Sequence, residues 1–109
     1  MTNVYKILGQ SKPTATTLTD IYTVPASTET VVSTITVCNQ SATATSFRIS
    51  IAPAGAADSA EQYLYYDVPI SGNDTFAATL GISLATTDVI RVYNTLATLS
   101  FMVTGVEIS

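Results

Sequence analysis

A chain of 109 residues with 47% hydrophobic content has the length of one domain, residues 1–109; burying roughly 60–70% of its unfolded surface, it needs neither metal nor disulfide staples. Only 11% of the residues are charged, well below the usual share of roughly 25%, and the net charge of −4 includes four scattered bases, Lys6, Lys12, Arg48 and Arg91. That balance argues against nucleic acid as a partner, since counterion release needs clustered bases, and a single cysteine, Cys38, forbids an internal disulfide.

Taken in order, Val4 to Leu8 is a short apolar strand closed by Gly9, and Gln10 to Thr17, with Pro13, is a loop or extended arm. The stretch 1–17 is therefore expected to be an N-terminal strand or arm. Leu18 to Val24 is a second strand, ended by Pro25, which cannot donate to a ladder. Thr30 to Ala52 holds two alternating runs around Asn39-Gln40-Ser41. Val31, Ile35 and Val37 share one side of the first run; Phe47, Ile49 and Ile51 share one side of the second. Alternation of this kind marks strands with one face on a core, and the turn chemistry between them predicts a hairpin with a loop of about five residues.

Pro53 to Glu61 is small, polar and aperiodic, a surface loop with a helical turn expected over Ala56 to Glu61. From Gln62 the alternation returns, placing Leu64, Tyr66, Val68 and Ile70 inward and Tyr63, Tyr65, Asp67 and Pro69 outward. Pro69 puts this strand's end at an edge or bulge. Ser71-Gly72-Asn73-Asp74 is a turn, Thr75 to Leu80 a strand punctuated by Gly81, and Ile82 with Leu84 a brief apolar pair. Val89 to Tyr93 and Leu99 to Ile108 complete the set, with Gly105 marking a bulge or a close approach. About eight short strands at even spacing predict an all-β antiparallel β-sandwich, jelly-roll-like or immunoglobulin-like. The remaining core positions are expected at Phe76, Ile90, Val92, Phe101 and Val103.

Catalytic chemistry is thinly represented. The chain has no histidine, no phosphate-binding glycine loop, no G-x-S-x-G and no C-x-x-C. The carboxylate pairs Asp58 with Glu61 and Asp67 with Asp74 sit in loop or turn contexts and read as solvated surface. A calcium site from Asp58 and Glu61 lacks the D-x-D-x-D spacing. A non-enzymatic protein with no catalytic residue, cofactor or metal is therefore expected. The more informative feature is aromatic: Tyr63 and Tyr65, read as outward, offer large contact area at low entropy cost. With Tyr93 they could form an interface or a platform for stacking sugars. The N-terminal M-T-N-V-Y-K-I-L-G-Q has no apolar h-region, and no run approaches the roughly 20 residues of a helical membrane span. A soluble product made without a secretion signal, with no membrane partner, is expected.

Several strings carry a family resemblance: Y-K-I-L-G-Q at Tyr5 to Gln10, I-Y-T-V-P at Ile21 to Pro25 and V-V-S-T-I-T-V-C-N at Val31 to Asn39. Further strings are F-R-I-S-I-A-P-A-G-A, Y-L-Y-Y-D-V-P-I, G-N-D-T-F, D-V-I-R-V-Y, L-S-F and G-V-E-I. Together they resemble small virion structural proteins of tailed bacteriophages, notably those of cyanobacteria and aquatic bacteria. The resemblance implies an accessory virion protein made in the host cytoplasm, either a capsid cement (decoration) protein or a tail or baseplate component. It implies as partners the chain itself, with a trimer favoured, and the major capsid protein or tail proteins. Low charge and many small residues independently favour homo-oligomerisation. Contact is expected through the sheet edges, the outward tyrosines Tyr63, Tyr65 and Tyr93, and the arm residues Gln10, Lys12 and Pro13. The alternative is a carbohydrate-binding module of a tail or fibre, built on the same three tyrosines.

Overall fold

The computed structural model describes residues 2–109. Eight strands are connected in chain order: β1 (Asn3–Ser11), β2 (Thr19–Thr23), β3 (Glu29–Asn39), β4 (Thr45–Ala52), β5 (Tyr63–Ile70), β6 (Thr75–Leu84), β7 (Val89–Asn94) and β8 (Leu99–Ile108). They form two four-stranded antiparallel sheets, ordered β1-β8-β3-β6 and β2-β7-β4-β5. First pairs with last, second with seventh, third with sixth and fourth with fifth. That nesting is a long hairpin rolled into two sheets, the jelly roll, and it separates this chain from the immunoglobulin alternative. At the open end of the roll the Ser109 amide donates to the Thr2 carbonyl at 3.0 Å.

The expected hairpin over Thr30 to Ala52 is not one. Strand β3 lies in one sheet and β4 in the other, so the connector 40–44 crosses between layers. Each strand has a single apolar face, and both faces meet the shared core from opposite sides. Asn39, almost wholly buried, holds the crossing. Its Nδ2 donates to the Thr43 carbonyl (2.9 Å) and the Ser71 carbonyl (3.2 Å), while its Oδ1 accepts from the Ser41 amide (3.1 Å). The second crossing, from β5 to β6, runs alongside: the Asn73 amide donates to the Ser41 carbonyl at 2.8 Å. Gly72 lies so close to the Ala42 carbonyl that any Cβ there would overlap it.

The core is formed by Ile35 and Val37 of β3, Phe47 and Ile49 of β4, Ile90 and Val92 of β7, and Phe101 and Val103 of β8, as the alternation predicts. Phe47 packs near Phe76 (ring centres 5.1 Å apart), Phe101 (6.3 Å) and Tyr65 (6.4 Å). Three expected core residues face outward or nearly so. A register shift between Val32 and Thr34 inserts a bulge at Ser33, so Val32 is buried in place of Val31. In β5, shifts on either side of Ile49 reverse the inner half of the pattern. Leu64 and Tyr66 are exposed, while Tyr65 packs on the core. Beyond the bulge, Val68 and Ile70 return inward as expected. Phe76 and Ile51 are only partly buried but pack against the same cluster.

Other boundaries also differ. The surface loop carries two 3-10 turns, Pro53–Gly55 and Ala60–Gln62, rather than one turn over Ala56 to Glu61. Ile82 and Leu84 belong to β6, which runs on through Gly81 at φ 68°. Gln10 and Ser11 belong to β1, and the segment after them is no free arm. Pro13 is buried, its carbonyl accepting from Asn94 Nδ2 at 3.4 Å, and the Thr16 amide donates to the Asn94 carbonyl at 2.9 Å.

Candidate interaction surfaces

Two outer faces carry the features that can bind. On the first sheet, cross-strand registers align side chains into rows perpendicular to the strands: Tyr5, Val106, Val31 and Ser83; Ile7, Thr104, Thr34 and Thr79; Gln10, Met102, Thr36 and Ala77. No member of these rows is charged. Each row begins on β1, an edge strand, where Tyr5 is 79% and Ile7 52% exposed. Gln10 and Lys12 flank a shallow depression on this face with Cys38, Gln40, Ser100 and Met102. An edge strand with exposed apolar side chains is a template for another chain.

Strand β1 is anchored from below. Lys6 Nζ donates to Glu107 Oε1 at 3.0 Å, and the Tyr22 hydroxyl donates to Glu107 Oε2 at 2.6 Å. Tyr22 also lies 2.8 Å from the Thr30 hydroxyl. Burial, then the bond to Glu107, pushes the Tyr22 phenol up to about 12. The Tyr22 and Lys6 donors in turn hold the Glu107 carboxyl below its ordinary value.

On the second sheet, Arg48 of β4 stands between Tyr66 of edge strand β5 and Tyr93 of β7. Its guanidinium carbon is 4.2 Å from the Tyr66 ring centre and 4.4 Å from that of Tyr93. Asp67 fixes it in place, accepting from Nε at 2.6 Å and Nη2 at 3.3 Å. Tyr63 meets Tyr66 edge-on, with ring centres 5.1 Å apart at 89°. The Tyr63 hydroxyl donates to Asp58 at 3.0 Å, and burial followed by this bond raises its pKa. Arg48, Asp58, Ser59, Ala60, Tyr63 and Tyr66 enclose an open depression of about 530 Å³.

Of the three tyrosines read as a platform, Tyr63 and Tyr93 lie at this site. Tyr65 does not: it faces the core, 5.3 Å from Phe76. Tyr66 takes its place, and Arg48 joins it; both were missed. The signal was the doublet Tyr65-Tyr66 followed by Asp67, a residue type tolerant of the positive φ (51°) that it adopts. Of the expected arm contacts, Gln10 and Lys12 are on the surface side and Pro13 is inside. The exposed pair Tyr5 and Ile7 was not singled out, although alternate apolar residues on a terminal strand are its sequence mark.

Among the described residues no three His, Cys, Asp or Glu side chains gather to hold a metal, and no helix is long and apolar enough to cross a membrane. Comparison with known proteins returns no matching family model, no matching curated protein and no matching solved structure.

Proposed function

We propose that this chain is a non-enzymatic virion structural protein, a capsid cement or decoration subunit that assembles as a homo-oligomer, with a trimer the preferred form. The observation that carries this reading is an outer face whose three central rows are uncharged, with Glu29 and Lys12 only at its two ends, and which finishes on an exposed edge strand. Four strands of about ten residues present roughly 600 Å² of sheet, close to the ~800 Å² per partner of a standard interface. Small apolar groups and hydroxyls allow close approach, the hydroxyls exchanging water for partner hydrogen bonds, and a free edge adds backbone hydrogen bonds. Lys6, Arg48 and Arg91 are engaged in salt bridges with Glu107, Asp67 and Asp20, which leaves Lys12 as the one basic side chain without a carboxylate partner among the described residues. The resemblance to phage virion proteins points the same way. The partners are then further copies of the chain and the major capsid protein.

Light scattering on the purified protein tests the assembly. A multimer is expected, and Ile7→Lys should disperse it while leaving the monomer folded. An apolar side chain of this size contributes about 1.5–3 kcal/mol when buried, so association should weaken roughly ten- to hundredfold. A monomer at high concentration, or a multimer indifferent to Ile7→Lys, defeats the reading. Cryo-electron microscopy of particles then separates head from tail. Attachment to the head should withstand high salt; release by moderate salt alone would contradict an apolar contact.

A further inference from the structure

We infer that the depression beside Arg48 on the second sheet is a saccharide-binding site that takes a neutral hexose or N-acetylhexosamine unit, with Tyr66 as its stacking surface. The inference concerns the sheet opposite to the proposed assembly face and stands whether or not that face assembles. Sugar recognition needs an aromatic face for the axial C–H groups and rigid planar polar groups for the hydroxyls. Both are here. Tyr66 is 59% exposed although the Arg48 guanidinium lies over one face of its ring and Tyr63 meets it at right angles, so its solvent-facing side is the stacking surface. Arg48 is immobilised by Asp67 and by two rings, leaving a guanidinium edge beside the groove. Asp58 is oriented by the Tyr63 hydroxyl, and Ala60 leaves the cleft unobstructed. The volume, about 530 Å³, lies within the roughly 300–1,000 Å³ usual for small-ligand sites.

Charge selects the class of ligand. Arg48 is already paired with Asp67, whereas Asp58 forms no salt bridge among the described residues, so the unpaired charge lining the groove is a carboxylate, which disfavours uronic and sialic acids. A quaternary ammonium would find aromatic rings, but the guanidinium of Arg48 already occupies the space between Tyr66 and Tyr93 and repels a second cation. A polyhydroxylated neutral ring avoids both conflicts. It can donate to Asp58, accept from Arg48 and stack on Tyr66.

Saturation-transfer NMR tests this on the whole chain with methyl glycosides of glucose, galactose and N-acetylglucosamine, and with methyl glucuronide and choline as contrasts. Transfer to the ring C–H protons of at least one neutral glycoside is expected, with none to glucuronide or choline. Tyr66→Ala should weaken that binding at least about tenfold, the scale of a buried aromatic contact, and Tyr66→Phe should retain it. Asp58→Asn should admit glucuronide. Ile7→Lys should leave all of these results unchanged, which separates this site from the assembly face. Silence from all three neutral glycosides with wild-type protein overturns the inference. So does a preference for choline, or a Tyr66→Ala variant that is folded by circular dichroism and binds undiminished.

Discussion

At Glu107 two side chains from different strands, Lys6 of β1 and Tyr22 of β2, converge on one carboxylate, and the stability of the fold should record its titration. The folded pKa is depressed by the donors Tyr22 and Lys6, so the stabilisation is complete above the ordinary carboxylate value. It is lost as pH falls through the lowered folded value. Tyr22 is the mirror case: its pKa is raised from 10.0 to about 12, so its contribution is intact below 10.0 and disappears as pH rises towards 12. Urea midpoints measured across pH should fall in both windows, and Tyr22→Phe should flatten both declines. Asn39 makes a different case, because it holds three backbone groups at a crossing. Asn39→Ala leaves them without partners, each costing about 1–3 kcal/mol if water cannot reach it. A fall in thermal midpoint of several degrees per kcal/mol is expected, whereas Gln40→Ala, at an exposed position, should be nearly neutral.

Among the elements, β5 shows how a bulge both hides and creates a site. Val68 pairs with Phe47 and Tyr65 with Ile49, so Tyr66 and Asp67 together oppose Arg48. The doubled residue turns Tyr66 outward beside the guanidinium. Asp67 carries the positive φ that makes this turn, and its backbone role can be separated from its charge. Asp67→Ala should destabilise by up to about 1 kcal/mol for the left-handed conformation, since aspartate already bears part of the about 1–2 kcal/mol penalty of an L-residue there, plus about 0–1 kcal/mol for an exposed ion pair. Asp67→Gly should forfeit only the second, and denaturant midpoints of the two variants will tell them apart. The same bulge explains what the sequence concealed. Strands without an interruption at the relevant point, such as β7 and β8, have the faces that their alternation predicts, with Ile90, Val92, Phe101 and Val103 inside. Where an extra residue enters, at Ser33 or at Asp67, the stretches before and after it fall out of phase. Val31, Leu64 and Tyr66 before it are reversed while Ile35, Val37, Val68 and Ile70 after it keep their faces, and no periodicity announces the insertion. The sheet switch after Asn39 was equally silent, since a strand alternates identically whether its successor pairs beside it or crosses to the opposite layer. Thus Tyr63 and Tyr93 were legible as surface residues, but Tyr66 and Tyr65 exchanged places.

For the molecule as a whole, nested pairing makes nearly every sheet contact remote in sequence, the extreme being β1 with β8. Loops must close before such contacts form, so folding should be slow for this size, in the millisecond-to-second range, and cooperative across both sheets. Stopped-flow refolding followed by tyrosine fluorescence can measure this, since the chain has six tyrosines and no tryptophan. The bond between Thr2 and Ser109 adds a topological freedom. Thr2 and Ser109, within hydrogen-bonding distance, can be spliced by a short glycine-serine bridge, and the chain reopened between the exposed residues Leu96 and Ala97. In that circular permutant β8 and β1 become sequence neighbours joined as a local hairpin. It should reach the same fold, and reach it sooner than the parent.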